Sequence, residues 1–193
     1  PSIVGESRGV STRRVLETYF HPAVEALAAL PQPLVVAVNG IAAGGGVGLA
    51  LLGDVVLVAR SAAFHNVFVP RLALLPDLAA GWHMERLLGA GRALALGLLG
   101  EPLEAARAAE WGLVWDCVDD GQLQARALEL AARVAAGPML ATRRTKALLR
   151  GDLREELAAR LALEAELQCE LADHPDHAEG LRAFLEKRRP RFV

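Results

Sequence analysis

One segment constrains the fold more than any other: an apolar run at residues 34–38 that ends in Asn39-Gly40 and soon reaches three glycines. The run is rich in β-branched residues, which is typical of a strand buried on both faces. After Gly44-Gly45-Gly46 come a helical pattern over residues 47–53 and a second apolar run over residues 55–59. Strand, turn, helix and strand form a βαβ unit, and such units build parallel sheets. The sequence therefore predicts an α/β protein.

Helical patterns fill most of the remaining chain. Residues 11–30 carry apolar positions at helical steps, and Pro22 predicts either a kink or a second helix that begins there. Besides one short strand at 113–115, helices are predicted at residues 81–88, 90–99, 103–111, 123–136, from Asp152 onward, and at 178–184. The helix from Asp152 is expected to bury a face formed by Leu153, Leu157, Leu161, Leu167 and Leu171.

A shift in composition near residue 100 predicts two parts: a sheet-containing core over residues 1–100 and a helical subdomain over residues 101–193. With 193 residues, 53% of them hydrophobic and 23% charged, the chain can build a sizeable core. The opening residues lack an initiator Met, so we expect the sequence to start partway into a longer domain.

Charge and composition disfavour several classes of partner. A formal charge of −2 gives no general attraction to nucleic acid or anionic membranes, and no apolar run is long enough to cross a bilayer. Neither the two cysteines nor the five histidines show metal-ligand spacing, so no metal site is expected. We expect a cytoplasmic protein without nucleic-acid or membrane partners. His21 is predicted at a helix end or on the surface, and His174 and His177 in a solvated loop.

The glycine turn allows two interpretations. Glycines between a buried strand and a helix let the backbone approach a ligand, and they direct N–H groups at developing negative charge. Gly44, Gly45 and Gly46 would then contribute to an oxyanion hole for a thioester. The alternative is a tight connection with no ligand, since glycine turns are common punctuation between elements. The order of the glycines does not match a dinucleotide-binding fingerprint.

Asp77 also allows two interpretations, which are compatible with each other. The carboxylate follows an apolar run at residues 72–75 and precedes the small residues 79–81, where desolvation could adjust it for proton transfer. Alternatively, Asp77 precedes a helical pattern and could cap its free N–H groups.

A series of motifs, in order, resembles the crotonase (enoyl-CoA hydratase/isomerase) superfamily: residues 33–46, Asp54 with the strand after it, Leu75-Pro76-Asp77 followed by residues 86–89, residues 106–114, Thr145-Lys146, and residues 179–188. The resemblance runs from about His21 to the C-terminus. It implies the crotonase fold, a ββα-type superhelix with a C-terminal helical subdomain, whose N-terminal strands are missing from this sequence.

The resemblance also implies a chemistry. Gly45 would supply one of two oxyanion N–H groups, the other coming from an earlier segment that this sequence lacks. Hydratases of the family use two glutamates, and at those places this chain has Gly48 and an acid-free stretch near Phe68. The acid at Asp77 resembles the arrangement in the isomerases instead, where one carboxylate removes a proton from a thioester-stabilised carbon acid and returns it elsewhere.

Within the family, the sequence resembles the 1,2-epoxyphenylacetyl-CoA isomerases of phenylacetate breakdown. Val67-Phe68, Trp82 and residues 111–120 carry that similarity. Between Phe64 and Pro76 the chain is one residue longer than the pattern, and Ala73 replaces an expected glycine. The resemblance therefore leaves the position of the loop that carries Asp77 open.

Further site residues and partners follow from the same resemblance. Phe64, Phe68, Trp82 and His83 are candidates for the walls of the acyl pocket, with core packing as the alternative for Phe64. Phe184 and Lys187 resemble contacts to CoA that reach into a neighbouring subunit, with a solvated tail as the alternative for Lys187. The expected partners are an acyl-CoA and further copies of the chain in a homotrimer or hexamer. CoA would be part of the substrate, so no separate cofactor is expected.

Three functional alternatives remain open from the sequence. One is a Δ3,Δ2-enoyl-CoA isomerase that acts on fatty acyl chains. Another is an enzyme closer to the enoyl-CoA hydratases. The third is a non-catalytic subunit with the crotonase fold, suggested by Gly48 and by the missing front segment.

Overall fold

The computed structural model describes residues 5–150 and 153–192. Helices and strands alternate through the first part of the chain: α1 Arg8–Val15, a π-helical turn Leu16–Phe20, α2 His21–Ala28, β1 Val35–Val38, β2 Ile41–Ala43, α3 Gly45–Leu51, β3 Val55–Ala59, β4 Ala63–His65, a second π-helical turn Phe68–Leu72, α4 Ala80–Leu88 and α5 Ala90–Leu99. Helices dominate the remainder: β5 Leu103–Glu104, α6 Ala105–Glu110, β6 Asp116–Val118, α7 Leu123–Ala135, α8 Met139–Arg150, α9 Leu153–Asp173 and α10 Pro175–Leu185.

Within the described residues, six strands form two small sheets. In the first, β1, β3 and β6 lie in that order and all pair in parallel, with Val35 opposite Val55 and Leu57 opposite Asp116. In the second, β2 pairs in parallel with β4, which pairs antiparallel with β5. Helix α3 is the crossover between β1 and β3, so the βαβ unit predicted from the apolar runs is present.

Two apolar clusters form the core. The larger lies around β3, whose Leu57 and Val58 are fully buried, and includes side chains from α3 to α7. The smaller joins α2, α4 and α9 through Leu16, Val24, Leu52, Leu78, Ala79, Trp82, Leu157 and Leu161. Because Leu78 and Ala79 directly follow Asp77, this second cluster anchors the loop that carries the predicted acid.

The sheet core extends beyond residue 100, where the composition placed a boundary. Strands β5 and β6 follow that residue and pair with β4 and β3, while α7 packs against β1 and β3. The strand predicted at 113–115 was placed too early, since β6 covers Asp116–Val118. Leu113 and Val114 are buried as predicted strand residues would be, but they pack into the core from the turn that follows α6.

Several details of the helices also differ from the predictions. Helix α8 was not predicted, and α10 begins at Pro175, three residues before its expected start. The predicted start of α9 at Asp152 lies outside the described residues, and Leu167 is 38% exposed instead of buried. Pro22 was predicted either to kink a helix or to mark the start of a second one. The second alternative holds, since α2 begins at His21 after the π-helical turn.

Two histidines predicted at the surface or in solvent are buried. His21 starts α2, at a helix end as expected, but only 6% of its surface is exposed. His177 lies within α10, and its Nδ1 is 2.8 Å from the carbonyl oxygen of Leu72. That contact explains its burial, because α10 packs on the second π-helical turn.

Candidate acid–base site

The glycine turn is a strained connection that opens a helix. Gly44 has φ 56° and ψ −128°, a backbone conformation that side-chain-bearing residues rarely adopt. Its N–H donates to the carbonyl oxygen of His65 at 3.0 Å, which fixes the turn to β4. Gly45 and Gly46 then form the first turn of α3, where N–H groups have no intrahelical acceptor.

The loop that carries Asp77 also departs from regular geometry. The second π-helical turn, Phe68–Leu72, accommodates a wider turn of backbone than an α-helix would. This is the region where the sequence is one residue longer than the family pattern. Ala73 follows with φ 51°, so the alanine in place of the expected glycine adopts the left-handed conformation that a glycine would favour.

The backbone just after Asp77 is strained as well. Leu78 and Ala79 have φ 50° and 63°, two successive left-handed residues, each of which costs about 1–3 kcal/mol. Strain of this kind persists only where surrounding structure holds it, and it is concentrated at functional sites.

Asp77 lies directly against the glycine turn. Its Oδ1 is 3.2 Å from the position that a Cβ on Gly45 would occupy, and the Leu78 side chain is 2.7 Å from the same point. Oδ1 is buried and has no hydrogen-bond donor among the described residues. The helix-cap interpretation of Asp77 does not hold, because the N-cap of α4 is Ala79 and no side chain caps it. A buried carboxylate oxygen without a donor is free to accept a proton from a ligand in this position.

Two side chains of α9 hold this loop, and the sequence analysis missed both. Glu164 Oε2 accepts a hydrogen bond from the N–H of Ala79 at 3.2 Å, and only 4% of Glu164 is exposed. Gln168 accepts from the N–H of Leu75 and donates to its carbonyl oxygen, both at 3.2 Å, and it also donates to Asp77 Oδ2 at 3.4 Å. The available signal was their spacing: both continue the stripe of Leu157 and Leu161 at helical steps.

Burial changes the ionisation of both carboxyl groups. Desolvation raises the pKa of Asp77 to about 6, although the hydrogen bond from Gln168 opposes this shift. Desolvation also raises the pKa of Glu164 to about 7, against the hydrogen bond from Ala79 and with a further rise from the nearby Asp77 charge. Both carboxyl groups therefore ionise at a higher pH than exposed carboxyls, and Asp77, whose Oδ1 faces Gly45, is the one placed to act as a base.

Gly48, the position at which the resemblance implies a glutamate in hydratases, has no room for a side chain. A Cβ on Gly48 would lie 2.9 Å from the carbonyl carbon of Leu78, closer still to its oxygen, and 3.1 Å from the nitrogen of Ala80. Helix α3 thus packs directly on the strained backbone after Asp77. The same close packing brings Asp77 to Gly45.

The aromatic candidates for the acyl pocket divide into two groups. The Phe68 ring lies 3.4 Å from the position that a Cβ on Gly44 would occupy, so it is adjacent to the turn. Phe64 is 1% exposed and belongs to the main core cluster, which matches the core-packing alternative. Its backbone, paired with Ala42, helps to fix β2 just before the turn.

Trp82 and His83 contact a different space. They line a cavity of about 800 Å³ bounded by α2, α3, α4, α8 and α9, whose described lining includes neither Asp77 nor the glycine turn. Burial lowers the pKa of His83 to about 4, and its Nε2 has no partner among the described residues. Trp82 also packs with Leu78 and Ala79, the residues that follow Asp77, so the prediction that Trp82 and His83 line the acyl pocket stays a prediction.

The two predicted CoA contacts lie on the surface of this chain. Phe184, in α10, is 64% exposed, and Lys187 follows in a left-handed conformation with φ 54°. Arg188, beside Lys187, forms an ion pair with Glu179 at 2.6 Å. Within the described residues there is no cluster of potential metal ligands, and no helix there is sufficiently long and apolar to traverse a bilayer.

Comparison with known proteins identifies the family to which this geometry belongs. The family model described as enoyl-CoA hydratase/isomerase matches residues 5–193. The chain belongs to the enoyl-CoA hydratase/isomerase family. A crystal structure of an enoyl-CoA hydratase from Mycobacterium avium subsp. paratuberculosis K-10 superposes with a TM-score of 0.88 and 35% identity, covering 100% of this chain and 77% of that one. The crotonase fold with a C-terminal helical region is thereby confirmed.

Similar curated members of the enoyl-CoA hydratase/isomerase family carry both reactions in their names. The chain is 41% identical over 189 residues to the "Probable enoyl-CoA hydratase" of Rhodobacter capsulatus, covering 98% of this chain and 73% of the relative. It is also 41% identical over 178 residues to the 1,2-epoxyphenylacetyl-CoA isomerase of Escherichia coli, covering 92% and 68%. The chain is thus an enzyme of this family, and its site geometry has to distinguish the two reactions.

Proposed function

We propose that the chain is an acyl-CoA isomerase that uses Asp77 as a single proton shuttle beside an oxyanion turn at Gly45. The observation that carries the proposal is the contact between these residues. Oδ1 of Asp77 is buried, has no hydrogen-bond donor among the described residues, and lies 3.2 Å from the position that a Cβ on Gly45 would occupy. A base in this place is adjacent to the carbon chain of a thioester whose carbonyl oxygen faces the turn.

The proposed reaction moves one proton and one double bond. The Asp77 carboxylate takes a proton from an acyl carbon, and the electron pair of that C–H bond passes into the thioester, which becomes an enolate. The N–H of Gly45 stabilises the oxygen of the enolate. Protonated Asp77 then returns the proton to a different carbon, so the double bond shifts and Asp77 is an anion again. No water is consumed.

The site supports isomerisation better than hydration. Hydration needs a positioned water together with paired acid–base groups. At Gly48, where the resemblance implies the first glutamate of the hydratases, the backbone of Leu78 occupies the space that a side chain would need. Near Phe68 and Val69, where it implies the second glutamate, no acid occurs. The other carboxyl group in this region, that of Glu164, accepts a hydrogen bond from the backbone N–H of Ala79. One free carboxylate at the turn fits a one-base shuttle.

For the acyl group we propose 1,2-epoxyphenylacetyl-CoA, with aliphatic 3-enoyl-CoA as the second candidate. The identity to the Escherichia coli isomerase and the Phe68 ring against the turn support an aromatic acyl group. With that substrate, the same polarisation of the thioester would promote opening of the epoxide ring. The second candidate needs only the proton shift and therefore uses the same residues.

We further propose that CoA enters only as part of the substrate, without a separate cofactor. The exposed Phe184 and Lys187 are proposed to contact CoA in a neighbouring copy, within a homotrimer or hexamer. Light scattering of the protein, with and without acyl-CoA, measures this assembly directly.

The test is an isomerase assay with 3-enoyl-CoA and with 1,2-epoxyphenylacetyl-CoA, using the wild-type chain, Asp77→Asn and Asp119→Asn. Asp119 makes only an exposed ion pair with Arg60, so its variant controls for the change of side chain. We expect Asp77→Asn to lose at least about 100-fold in kcat while still binding CoA, and Asp119→Asn to be unchanged. Retained turnover in Asp77→Asn, or faster water addition to a 2-enoyl-CoA than isomerisation in the wild type, would refute the proposal.

A further inference from the structure

Helix α9 presents two polar side chains on a face that is otherwise apolar. Glu164 and Gln168 lie one helical turn apart, beside the buried Leu161 and Ala165, and are 4% and 1% exposed. Burying polar groups of this size costs free energy unless they form hydrogen bonds. Every hydrogen bond recorded for them in the described residues goes to the loop around Asp77.

Gln168 fixes one oxygen of the carboxylate. Its amide pairs with both backbone groups of Leu75, at 3.2 Å each, and that two-point contact sets the orientation of the amide plane. From this position Nε2 reaches Asp77 Oδ2 at 3.4 Å. The other oxygen, Oδ1, is thereby left facing Gly45 without a donor.

Glu164 holds the strained backbone that follows. Its Oε2 accepts from the N–H of Ala79, the second of the two left-handed residues after Asp77. These residues turn the chain sharply so that Asp77 points at the turn while Leu78 packs under Gly45 and Gly48. A strained backbone of this kind relaxes unless an external contact holds it.

We propose that Gln168 and Glu164 are positioning residues for the acid–base carboxylate. Gln168 determines which oxygen of Asp77 faces the oxyanion turn, and Glu164 maintains the Leu78–Ala79 backbone that brings it there. The catalytic meaning of this inference rests on the proposed function of Asp77, but the geometry can be measured without turnover.

The surrounding charges are consistent with this division of roles. Arg160 is the charged side chain that acts on Glu164 besides Asp77, and it lies 3.8 Å from Glu85 at the exposed edge of α9. Burial raises the pKa of Asp77 to about 6 and that of Glu164 to about 7, and the charge of Asp77 contributes to the rise at Glu164. Removing the Gln168 donor, which favours the anion, raises the pKa of Asp77.

The first experiment follows the ¹³C chemical shift of the Asp77 carboxyl during a pH titration of the full chain. Gln168→Met keeps the length of the side chain and removes its hydrogen bonds, and Gln124→Met, on the exposed face of α7, is the matched control. We expect the Asp77 midpoint to rise by about half a pH unit in Gln168→Met, and to stay unchanged in the control. In turnover, kcat should fall at least tenfold while KM stays within twofold.

An unchanged Asp77 midpoint in folded Gln168→Met overturns the role of Gln168, whatever the turnover. If that variant does not fold, Gln168→Glu keeps an acceptor for the N–H of Leu75 and replaces the donor to Asp77 with a second carboxyl. The Asp77 midpoint should then rise further, and an unchanged value again overturns the proposal. If Asp77→Asn itself retains turnover, the proposed function fails, and the titration still decides the positioning.

The second experiment isolates Glu164. Glu164→Gln and Glu164→Leu both remove the carboxyl group, but only the first keeps an oxygen for the N–H of Ala79. We expect Glu164→Gln to keep at least half of the wild-type kcat and Glu164→Leu to lose at least tenfold. Equal kcat values in the two variants overturn the role of Glu164.

Discussion

Gly48 of α3 packs against the backbone of Leu78 so closely that a Cβ would lie 2.9 Å from its carbonyl carbon. This contact joins the helix that follows the glycine turn to the residue next to Asp77. It also fills the space at Gly48, where the resemblance implies a glutamate in hydratases. One packing contact therefore both brings the proposed base to the turn and excludes the acid that hydration would need.

Restoring a glutamate at this position should not create a hydratase. In Gly48→Glu the new side chain meets the Leu78 backbone, and the loop has to move away from α3. Because a displacement of about 1 Å can cost about 100-fold in rate, we expect isomerase kcat/KM to fall by at least that factor, with no gain in hydration. Gly91→Ala, in the exposed part of α5 with open space at its Cβ, is the control and should be fully active. Measurable hydration by Gly48→Glu would contradict the packing argument.

The pH dependence of turnover should report the ionisation of Asp77. Burial raises its pKa to about 6, and only the anion can remove a proton. We therefore expect kcat/KM to rise tenfold per pH unit below about pH 6 and to level off above it. The measurement is a pH–rate profile with saturating and limiting acyl-CoA. If kcat/KM instead falls only below about pH 4, the essential base is a carboxylate with an ordinary pKa and not the buried Asp77.

The same ionisation should cost stability. The folded-state pKa of Asp77 is raised above its unfolded value of 3.8. The free energy of unfolding is therefore highest, as far as Asp77 is concerned, below about pH 4, where the group is protonated in both states, and it falls as the pH rises through about 6. Asp77→Asn removes this penalty and should raise the free energy of unfolding by about 3 kcal/mol at pH 8. At pH 4.5 the gain should be less than half as large. Urea denaturation at both pH values measures it, and an equal gain at both would show that the effect is not electrostatic.

Ala73 offers a gain in stability without a change in chemistry. Its φ of 51° is unfavourable for alanine and ordinary for glycine, so Ala73→Gly should stabilise the fold by about 1 kcal/mol in thermal or urea denaturation. Ala125→Gly, at an exposed position in the first half of α7, is the matched control and should destabilise by about 1 kcal/mol. A loss of stability in both variants would indicate that residue 73 is not held in the left-handed region in solution.

Asp54 should matter for stability because it joins α8 to the sheet. Its carboxylate lies 2.6 Å from Lys146 Nζ and 2.8 Å from Arg150 Nε, and it accepts from the N–H of Leu34 at 2.7 Å. Removing one partner of a largely buried pair leaves the other charges uncompensated, so Asp54→Ala should cost about 2–3 kcal/mol. The exposed Asp119, paired with Arg60, should cost about 0.5 kcal/mol or less when replaced by alanine. Similar losses in the two variants would contradict a buried role for Asp54.

The parts of the fold that the sequence predicted well are those specified by neighbouring residues. The strand β1, the glycine turn and the strand β3 follow from short apolar runs and from glycines within about 25 residues of one another. The strand after α6 was misplaced by three residues, because Leu113 and Val114 are apolar and buried in a turn, where periodicity cannot distinguish them from a strand. The buried face of α9 was only partly predicted for a related reason. It includes the polar residues Glu164 and Gln168, which a search for apolar residues does not detect.

The sequence by itself determined the βαβ unit, the family and the identity of Asp77 as the candidate acid, since these depend on local pattern and on ordered motifs. Only the tertiary structure placed Asp77 against Gly45, filled the space at Gly48, and made Trp82 and His83 line a cavity whose described lining lacks Asp77. It alone also joined the loop to Glu164 and Gln168, across 85 and 93 residues of chain. The physical reason is that a buried polar side chain is tolerated only when a partner completes its hydrogen bonds, and the partner is selected by packing at long range, which no local pattern records.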